Sequence, residues 1–165
     1  MVSFYRPSAT RYKIMIESDA FPSDLYAVRS QAAFHGYDPD DAVIRLFPRE
    51  GEVTLRNDDI LQAIEEHGEA LALVMIGNVN YYTGQAFDIP AITRAGHQVG
   101  ALVGFDLAHG AGNLPLNLPF GVPINTLTLV QEVWRDVLCT TDTPMMTIFH
   151  VLQDGGVMTR RRGLI

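Results

Sequence analysis

The chain has 165 residues, of which 47% are hydrophobic and 19% are charged, a composition typical of one globular domain. Its net charge of −7 argues against nucleic-acid and anionic-membrane partners, and its single cysteine excludes an internal disulfide framework. The longest apolar stretch, residues 71–76, is far shorter than a membrane span, and the first residues do not have the pattern of a signal peptide. The sequence therefore predicts a cytoplasmic protein.

Residues 1–118 alternate strand-like and helix-like segments. Apolar runs predict strands over residues 11–16, 42–47, 71–76 and 101–105. Helices are predicted over residues 23–35, 58–67 and 89–100, with Asn57 and Asp88 as the N-caps of the second and third. This order predicts an α/β fold with a mainly parallel sheet and flanking helices, in which ligands bind beyond the carboxyl ends of the strands.

Polar and aromatic residues follow these strands where a ligand would bind. Asp106 comes directly after one strand and His109 three residues later, and a carboxylate there needs a cationic or hydrogen-bonding partner. A helix N-cap beside a core histidine explains this pair equally well. The segments Tyr81-Tyr82-Thr83-Gly84-Gln85 and Phe21-Pro22-Ser23-Asp24 occupy similar places. Their ordinary alternatives are a tyrosine-rich turn and a hydrophobic staple with an N-cap.

The other candidate residues indicate structure rather than chemistry. His35, His67 and His97 each stand near a predicted helix end, where a cation stabilises the terminal carbonyl groups. The histidines have no metal-ligand spacing, and the sequence contains no glycine-rich phosphate loop. No metal is therefore expected, and the arginines at 160–162 are expected to be solvated.

Three segments, taken together and in order, resemble those of kynureninase, a pyridoxal-phosphate enzyme of aminotransferase fold type I. They are Phe21-Pro22-Ser23-Asp24, Asn80-Tyr81-Tyr82-Thr83-Gly84-Gln85 and Gly104-Phe105-Asp106-Leu107-Ala108-His109. The resemblance covers residues 1 to about 118 and implies part of the large domain of that fold. It also implies a cytoplasmic homodimer that hydrolyses L-kynurenine or 3-hydroxykynurenine, giving anthranilate or 3-hydroxyanthranilate and L-alanine. These reactions belong to tryptophan catabolism (the kynurenine pathway) and NAD biosynthesis.

The resemblance also implies which residues bind the cofactor, pyridoxal 5′-phosphate. Asp106 would pair with the protonated pyridine nitrogen, since an adjacent carboxylate keeps that ring cationic and able to accept electrons. His109 would hydrogen-bond the phenolic oxygen of the ring, and Phe21 would stack on its face. Asp24 would support the pyridine-nitrogen side, and Gly77 would lie close to the phosphate. The expected cofactor-binding set is Phe21, Pro22, Ser23, Asp24, Gly77, Asp106 and His109.

One residue that the family's chemistry requires is missing from the sequence. Fold type I enzymes hold the cofactor through a lysine, as a Schiff base, after the strand that follows the Asp-x-x-His segment. This chain has no lysine after Lys13, which lies well before Phe21. We therefore expect no catalytic residue in this chain and no kynurenine hydrolysis by it.

Residues 119–165 do not match the family and show no strand-helix alternation. Reading the third base of each codon with the first two of the next permits Lys-Tyr-Val-Asn-Ser-Gly-Pro-Gly-Gly across residues 124–133. The same shift permits Ala-Gly-Trp-Trp-Gly-His-Asp across residues 152–159. These strings resemble the family's cofactor-lysine and substrate-site motifs, in the right order. The sequence thus predicts a partial cofactor-binding domain over residues 1–118 and a frame-shifted, poorly ordered tail over residues 119–165.

Two other functions stay open at this point. A non-catalytic binding or interaction fragment would retain the same core without carrying the cofactor. A relative of cysteine desulfurases or aminotransferases would share the fold type, although the Phe-Pro-Ser-Asp and Tyr-Tyr-Thr-Gly-Gln segments argue against it.

Overall fold

Strands and helices alternate along most of the chain, of which a computed structural model describes residues 1, 4–110, 113–114, 126–129, 136–140, 146–151 and 157–158. The first six described elements are β1 (Lys13–Glu17), α1 (Pro22–Phe34), α2 (Pro39–Ala42), β2 (Val43–Leu46), α3 (Asn57–His67) and β3 (Leu71–Gly77). The remaining ones are α4 (Ile89–Gln98), β4 (Leu102–Asp106), β5 (Thr126–Leu129), β6 (Asp136–Thr140), β7 (Met146–Val151) and β8 (Val157–Met158). The predicted α/β fold is confirmed.

The described strands form one sheet in the order β2-β1-β3-β4-β5-β6-β7-β8. Neighbours from β2 to β5 are parallel, whereas the pairs from β5 to β8 are antiparallel. The last residues of β3 and β4, Gly77 and Asp106, are register partners, and Glu17 pairs with Leu46 at the ends of β1 and β2. The carboxyl ends of four parallel strands therefore meet at one edge, which is where such sheets bind ligands.

The apolar core lies on both faces of the sheet. One cluster includes Val74 and Ile76 of β3 and residues of α3 and α4. The other includes Leu73 and Met75 of β3 together with Val28 of α1. Because successive side chains of a strand point to opposite faces, the continuous apolar run of β3 supplies both clusters, as expected of a strand buried between two helix layers.

Local polar groups set where the helices begin. Asp88 caps α4 as predicted, since its Oδ1 accepts a hydrogen bond from the Ala91 N–H at 2.9 Å. The prediction that Asn57 caps α3 is wrong, because Asn57 is already helical and Arg56 holds the cap position without a side-chain hydrogen bond. The short α2, which the sequence analysis did not predict, is capped by Asp38.

Four short strands of the region 119–165 are described, and they extend the sheet beyond β4. β5 lies parallel to β4, with Val103 opposite Thr126 and Asp106 opposite Leu129. Confident helices or strands in register with the sheet would count against a frame-shifted tail, and the side chains of these strands, which would show how they pack, lie outside the described residues. The division near residue 118, the frame shift and the poor order of the tail therefore stay predictions.

A close approach between α4 and β4 gives a stability prediction. Gly96 packs on β4 so tightly that a Cβ there would lie 2.4 Å from Cγ2 of Val103. The Gly96→Ala variant should lose about 1–3 kcal/mol in free energy of unfolding through overpacking, despite a gain of about 1 kcal/mol in helix propensity. Urea denaturation measures this loss.

A second substitution provides the control for Gly96→Ala. In a Val103→Ala background the obstructing methyl group is gone, so Gly96→Ala should be close to neutral or stabilising. The two substitutions are then strongly non-additive, as expected for side chains in direct contact. Additive losses would show that the contact does not limit the packing of α4.

Candidate functional site

Three carboxyl groups approach one another at the carboxyl edge of the sheet. Glu17 is the last residue of β1, Asp106 is the last residue of β4, and Asp24 lies in the first turn of α1. Glu17 is 4% exposed and Asp106 is 6% exposed. Two strand ends and one helix start thus bring together residues that are distant in sequence.

Asp106 is held on both sides by main-chain hydrogen bonds. Its carbonyl oxygen accepts from the Asn78 N–H at 2.8 Å, and its Oδ1 accepts from the Ala108 N–H at 2.8 Å. Residues 108–110 form a turn, so among the described residues Asp106 caps a turn and not a helix. These two hydrogen bonds fix the position of the Asp106 carboxyl group.

Asp24 is the partner of Asp106 within this group. Burial is the main cause that raises the pKa of Asp24 to about 8, followed by repulsion from Asp106 and a hydrogen bond with it. Glu17 raises it further, whereas a hydrogen bond from Ser23 lowers it. Since the charges acting on Asp24 are negative, this edge favours a bound cation or a retained proton.

Aromatic rings stand beside these carboxyl groups. The ring centroid of Phe21 lies 5.2 Å from that of Tyr81 and 6.1 Å from that of His109, and the rings of Tyr81 and His109 are 6.3 Å apart. Phe21 holds the N-cap position of α1 without a side-chain cap bond, and 37% of it is exposed. The rings therefore come from three separate segments and form one aromatic cluster at the edge.

Asn80 organises the loop that carries Tyr81. Its Oδ1 accepts hydrogen bonds from the N–H groups of Tyr82 and Thr83 at 3.0 and 2.9 Å, and its Nδ2 donates to the carbonyl oxygen of Asp19 at 2.8 Å. The Gln85 side chain in the same loop pairs with both main-chain groups of Leu55. The segment is thus more than a tyrosine-rich turn, because it connects the loops that follow β1 and β3.

Gly77 ends β3 and Pro22 begins α1, both at this edge of the sheet. The Gly77 N–H donates to Oε1 of Glu17 at 3.0 Å, and a Cβ at this glycine would meet the same oxygen at 3.0 Å. Pro22 begins α1, where the fixed φ of proline suits the first helical turn. Sequence analysis did not single out Glu17, although a glutamate that ends a buried strand is a signal of the same kind as Asp106.

The three histidines assigned to structure do lie at helix ends. His35 is the C-cap residue of α1, His67 is the last residue of α3, and His97 lies in the last turn of α4. Within the described ranges, no group of histidine, cysteine and acidic residues could hold a metal ion. In the same part of the chain, no helix is both long and apolar enough to cross a membrane.

Comparison with solved structures identifies the class to which this fold belongs. The chain superposes with a TM-score of 0.50 on pyridoxamine-pyruvate aminotransferase from Mesorhizobium loti, at 14% identity, covering 76% of this chain and 30% of that one. It superposes equally well, at 14% identity, on a structure of the SepCysS–SepCysE N-terminal domain complex, covering 70% of this chain and 30% of that one. The fold is that of the pyridoxal-phosphate-dependent enzymes of the aminotransferase type.

Sequence comparison identifies the particular relatives. Over 118 residues, 72% of this chain, it is 66% identical to a kynureninase of Myxococcus xanthus and 63% identical to one of Christiangramia forsetii. A kynureninase of Nematostella vectensis is 58% identical over the same length. The predicted resemblance to kynureninases is confirmed over these residues, and the chain spans 28% of the length of the two bacterial relatives. No protein-family model matches the chain.

Proposed function

We propose that the chain carries the pyridine-ring side of a kynureninase site for pyridoxal 5′-phosphate. The observation that supports this most is the meeting of Asp106, Asp24, Phe21 and His109 at the carboxyl edge. A cationic ring nitrogen would neutralise a pair of carboxyl groups that otherwise retains a proton. The carboxyl groups of Asp106 and Asp24 therefore fit a cofactor that has a protonated ring nitrogen.

Each side chain has a distinct part in holding the ring. Asp106, fixed by the Asn78 and Ala108 N–H groups, would present its carboxylate to the ring nitrogen, and Asp24 would support it there. Phe21 would cover the ring face, and His109 would hydrogen-bond the phenolic oxygen. The bound cofactor supplies an electron sink for the bond broken in kynurenine. Gly77 ends β3 at this edge, where the resemblance implies the phosphate, and Pro22 and Ser23 belong to the first turn of α1.

We further propose that the 165-residue chain does not itself hydrolyse kynurenine. The chemistry needs an amine at the site, and the sequence has one lysine, Lys13. Lys13 begins β1 at the amino edge of the sheet, whereas Asp106 ends β4 at the carboxyl edge. The Lys13 ammonium group forms a 3.1 Å ion pair with Asp41. It therefore cannot move protons at the cofactor ring.

We also propose that residues from about 119 onward are a kynureninase continuation translated in a shifted frame. The lysine string and the tryptophan-pair string that the shifted frame permits supply the parts this chain lacks. A protein with the restored frame would be a pyridoxal-phosphate hydrolase of kynurenine, in the kynurenine pathway of tryptophan catabolism. We infer that this restored protein is a cytoplasmic homodimer, as the resemblance to kynureninases implies.

Resequencing the coding DNA across codons 110–165 tests the frame, and anthranilate fluorescence tests the activity. We expect one restored frame to give an unbroken lysine motif, and the restored protein to release anthranilate from kynurenine but to leave cysteine unchanged. The printed chain should release none. If the DNA stands as printed, the frame-shift proposal is wrong and the non-catalytic binding fragment becomes the better function.

A further inference from the structure

Asn78 and Gly110 make a very close contact at the carboxyl edge of the sheet. A Cβ at residue 110 would lie 2.1 Å from both Nδ2 and Oδ1 of Asn78, and 2.4 Å from its Cγ. The contact therefore has no room for even a methyl group, and Gly110 rests directly on the Asn78 carboxamide. Gly110 is buried and Asn78 is 1% exposed, so neither residue can easily move aside.

The main chain of Asn78 is fixed on both sides. Its N–H donates to the carbonyl oxygen of Asp106 at 2.8 Å, and its carbonyl oxygen accepts from the Phe87 N–H at 3.0 Å. Its side-chain Oδ1, by contrast, is buried and has no hydrogen-bond partner among the described residues. A buried polar atom without a partner costs stability. Hydrogen bonding of Oδ1 therefore does not explain an asparagine here, and the contact with Gly110 is left to account for it.

Gly110 ends the turn that carries His109. At the start of this turn the Ala108 N–H donates to Oδ1 of Asp106 at 2.8 Å, and farther along Nδ2 of Asn113 donates to the carbonyl oxygen of His109 at 2.9 Å. The His109 side chain is itself exposed. Its place therefore depends on where the turn stands, and the contact with Asn78 ties the end of that turn to β3.

We propose that Asn78 is a positioning residue for His109: its carboxamide, packed against Gly110, sets how far the turn stands from the end of β3 and so where the His109 ring lies. For its effect on the cofactor this inference rests on the proposed function, in which His109 would hydrogen-bond the phenolic oxygen. The effect on the ring itself concerns only contacts within this chain, and it can be measured without the cofactor.

Gly110→Ala tests the contact in the full 165-residue chain. Gly110 is not among the glycines with positive φ, so alanine suits its backbone and the Asn78 carboxamide is what obstructs the added methyl group. We expect the turn to move away from β3 and the NMR signals of the His109 ring, which lies beside Phe21 and Tyr81, to shift. Binding of pyridoxal 5′-phosphate should weaken by about tenfold, the loss expected for one misplaced hydrogen bond.

Asn78→Ala removes the obstruction and tests the partner. Alone it should also shift the His109 signals, because Gly110 loses the surface on which it rests. In the Asn78→Ala background, Gly110→Ala should change the affinity for the cofactor by no more than about twofold, since the methyl group then has room and residues in direct contact are not additive. Gly96→Ala is the matched control: it overpacks α4 against Val103 and should leave the His109 signals and the affinity unchanged.

The failure of this inference is distinguishable from the failure of the proposed function. Unchanged His109 signals in Gly110→Ala or Asn78→Ala, additive effects of the two substitutions, or an equal shift in Gly96→Ala would overturn the inference. If no form of the chain binds pyridoxal 5′-phosphate, the proposed cofactor site is wrong for this chain, and the His109 signals still decide whether Asn78 positions the turn. If Gly110→Ala does not fold, a folded double variant supports the contact and an unfolded one overturns it.

Discussion

Replacing Asp106 with asparagine should weaken binding of pyridoxal 5′-phosphate by about 10- to 100-fold and leave the fold intact. The amide keeps the acceptor for the Ala108 N–H but has no charge with which to stabilise a protonated ring nitrogen. A hydrogen bond between charged groups contributes about 1.5–3 kcal/mol, which sets this range. A fluorescence titration of the full chain with the cofactor measures the dissociation constant.

Asp38→Asn is a closely matched control for Asp106→Asn. Asp38 also accepts a hydrogen bond from the N–H two residues ahead, that of Asp40 at 2.9 Å. It precedes β2, however, and so lies at the amino edge of the sheet. Asp38→Asn should bind the cofactor as the unmodified chain does. Unchanged affinity in Asp106→Asn, or equal losses in both variants, would contradict the assignment of Asp106 to the ring nitrogen.

The second large effect is a loss of stability as pH rises. Burial raises the pKa of Glu17 to about 7, and burial together with Asp106 raises that of Asp24 to about 8. Both pKa values exceed those of the unfolded chain, so the stabilisation is fully present below about pH 4 and lost as pH rises through the folded values. With allowance for the partial exposure of Asp24, the free energy of unfolding should fall by on the order of 2 kcal/mol from about pH 6 to about pH 9.

Urea denaturation at several pH values measures this fall, and Asp24→Asn tests its source. The asparagine does not titrate, so the variant should have a distinctly flatter profile and a higher stability than the unmodified chain at alkaline pH. Asp19→Asn, which changes an exposed carboxyl group nearby, should keep most of the original slope, because Asp19 is the last in order of size among the causes that raise the pKa of Glu17. A stability that rises with pH, or an equal slope in Asp24→Asn, would mean that this group does not retain its proton.

Much of the first 110 residues could be predicted from the sequence because local signals there agree with the fold. The apolar run of β3 and the Asp88 cap of α4 each depend on neighbouring residues. The meeting of Asp106 with Asp24 follows from the rule that parallel strands end at a common edge, where the helix after β1 also begins. The short α2 was missed because a single capped turn between two predicted elements has too few residues to show a period.

The parts of the site that escaped prediction depend on contacts between distant segments. Glu17 bonds Gly77 across 60 residues and Asn80 bonds Asp19 across 61, and no local pattern specifies either contact. The register of β1 against β3 includes an irregularity between Lys13 and Ile14. Since a one-residue shift turns a side chain to the other face of the sheet, periodicity alone could not predict which face the Glu17 side chain lies on.

The central position of β3 in the sheet bears on how the protein unfolds. This strand has neighbours on both sides and gives alternate side chains to both apolar clusters. The two helix layers therefore share one strand, and we expect them to unfold together as one cooperative unit. Because the same strand ends at Gly77, we expect a ligand bound at this edge to stabilise both layers at once.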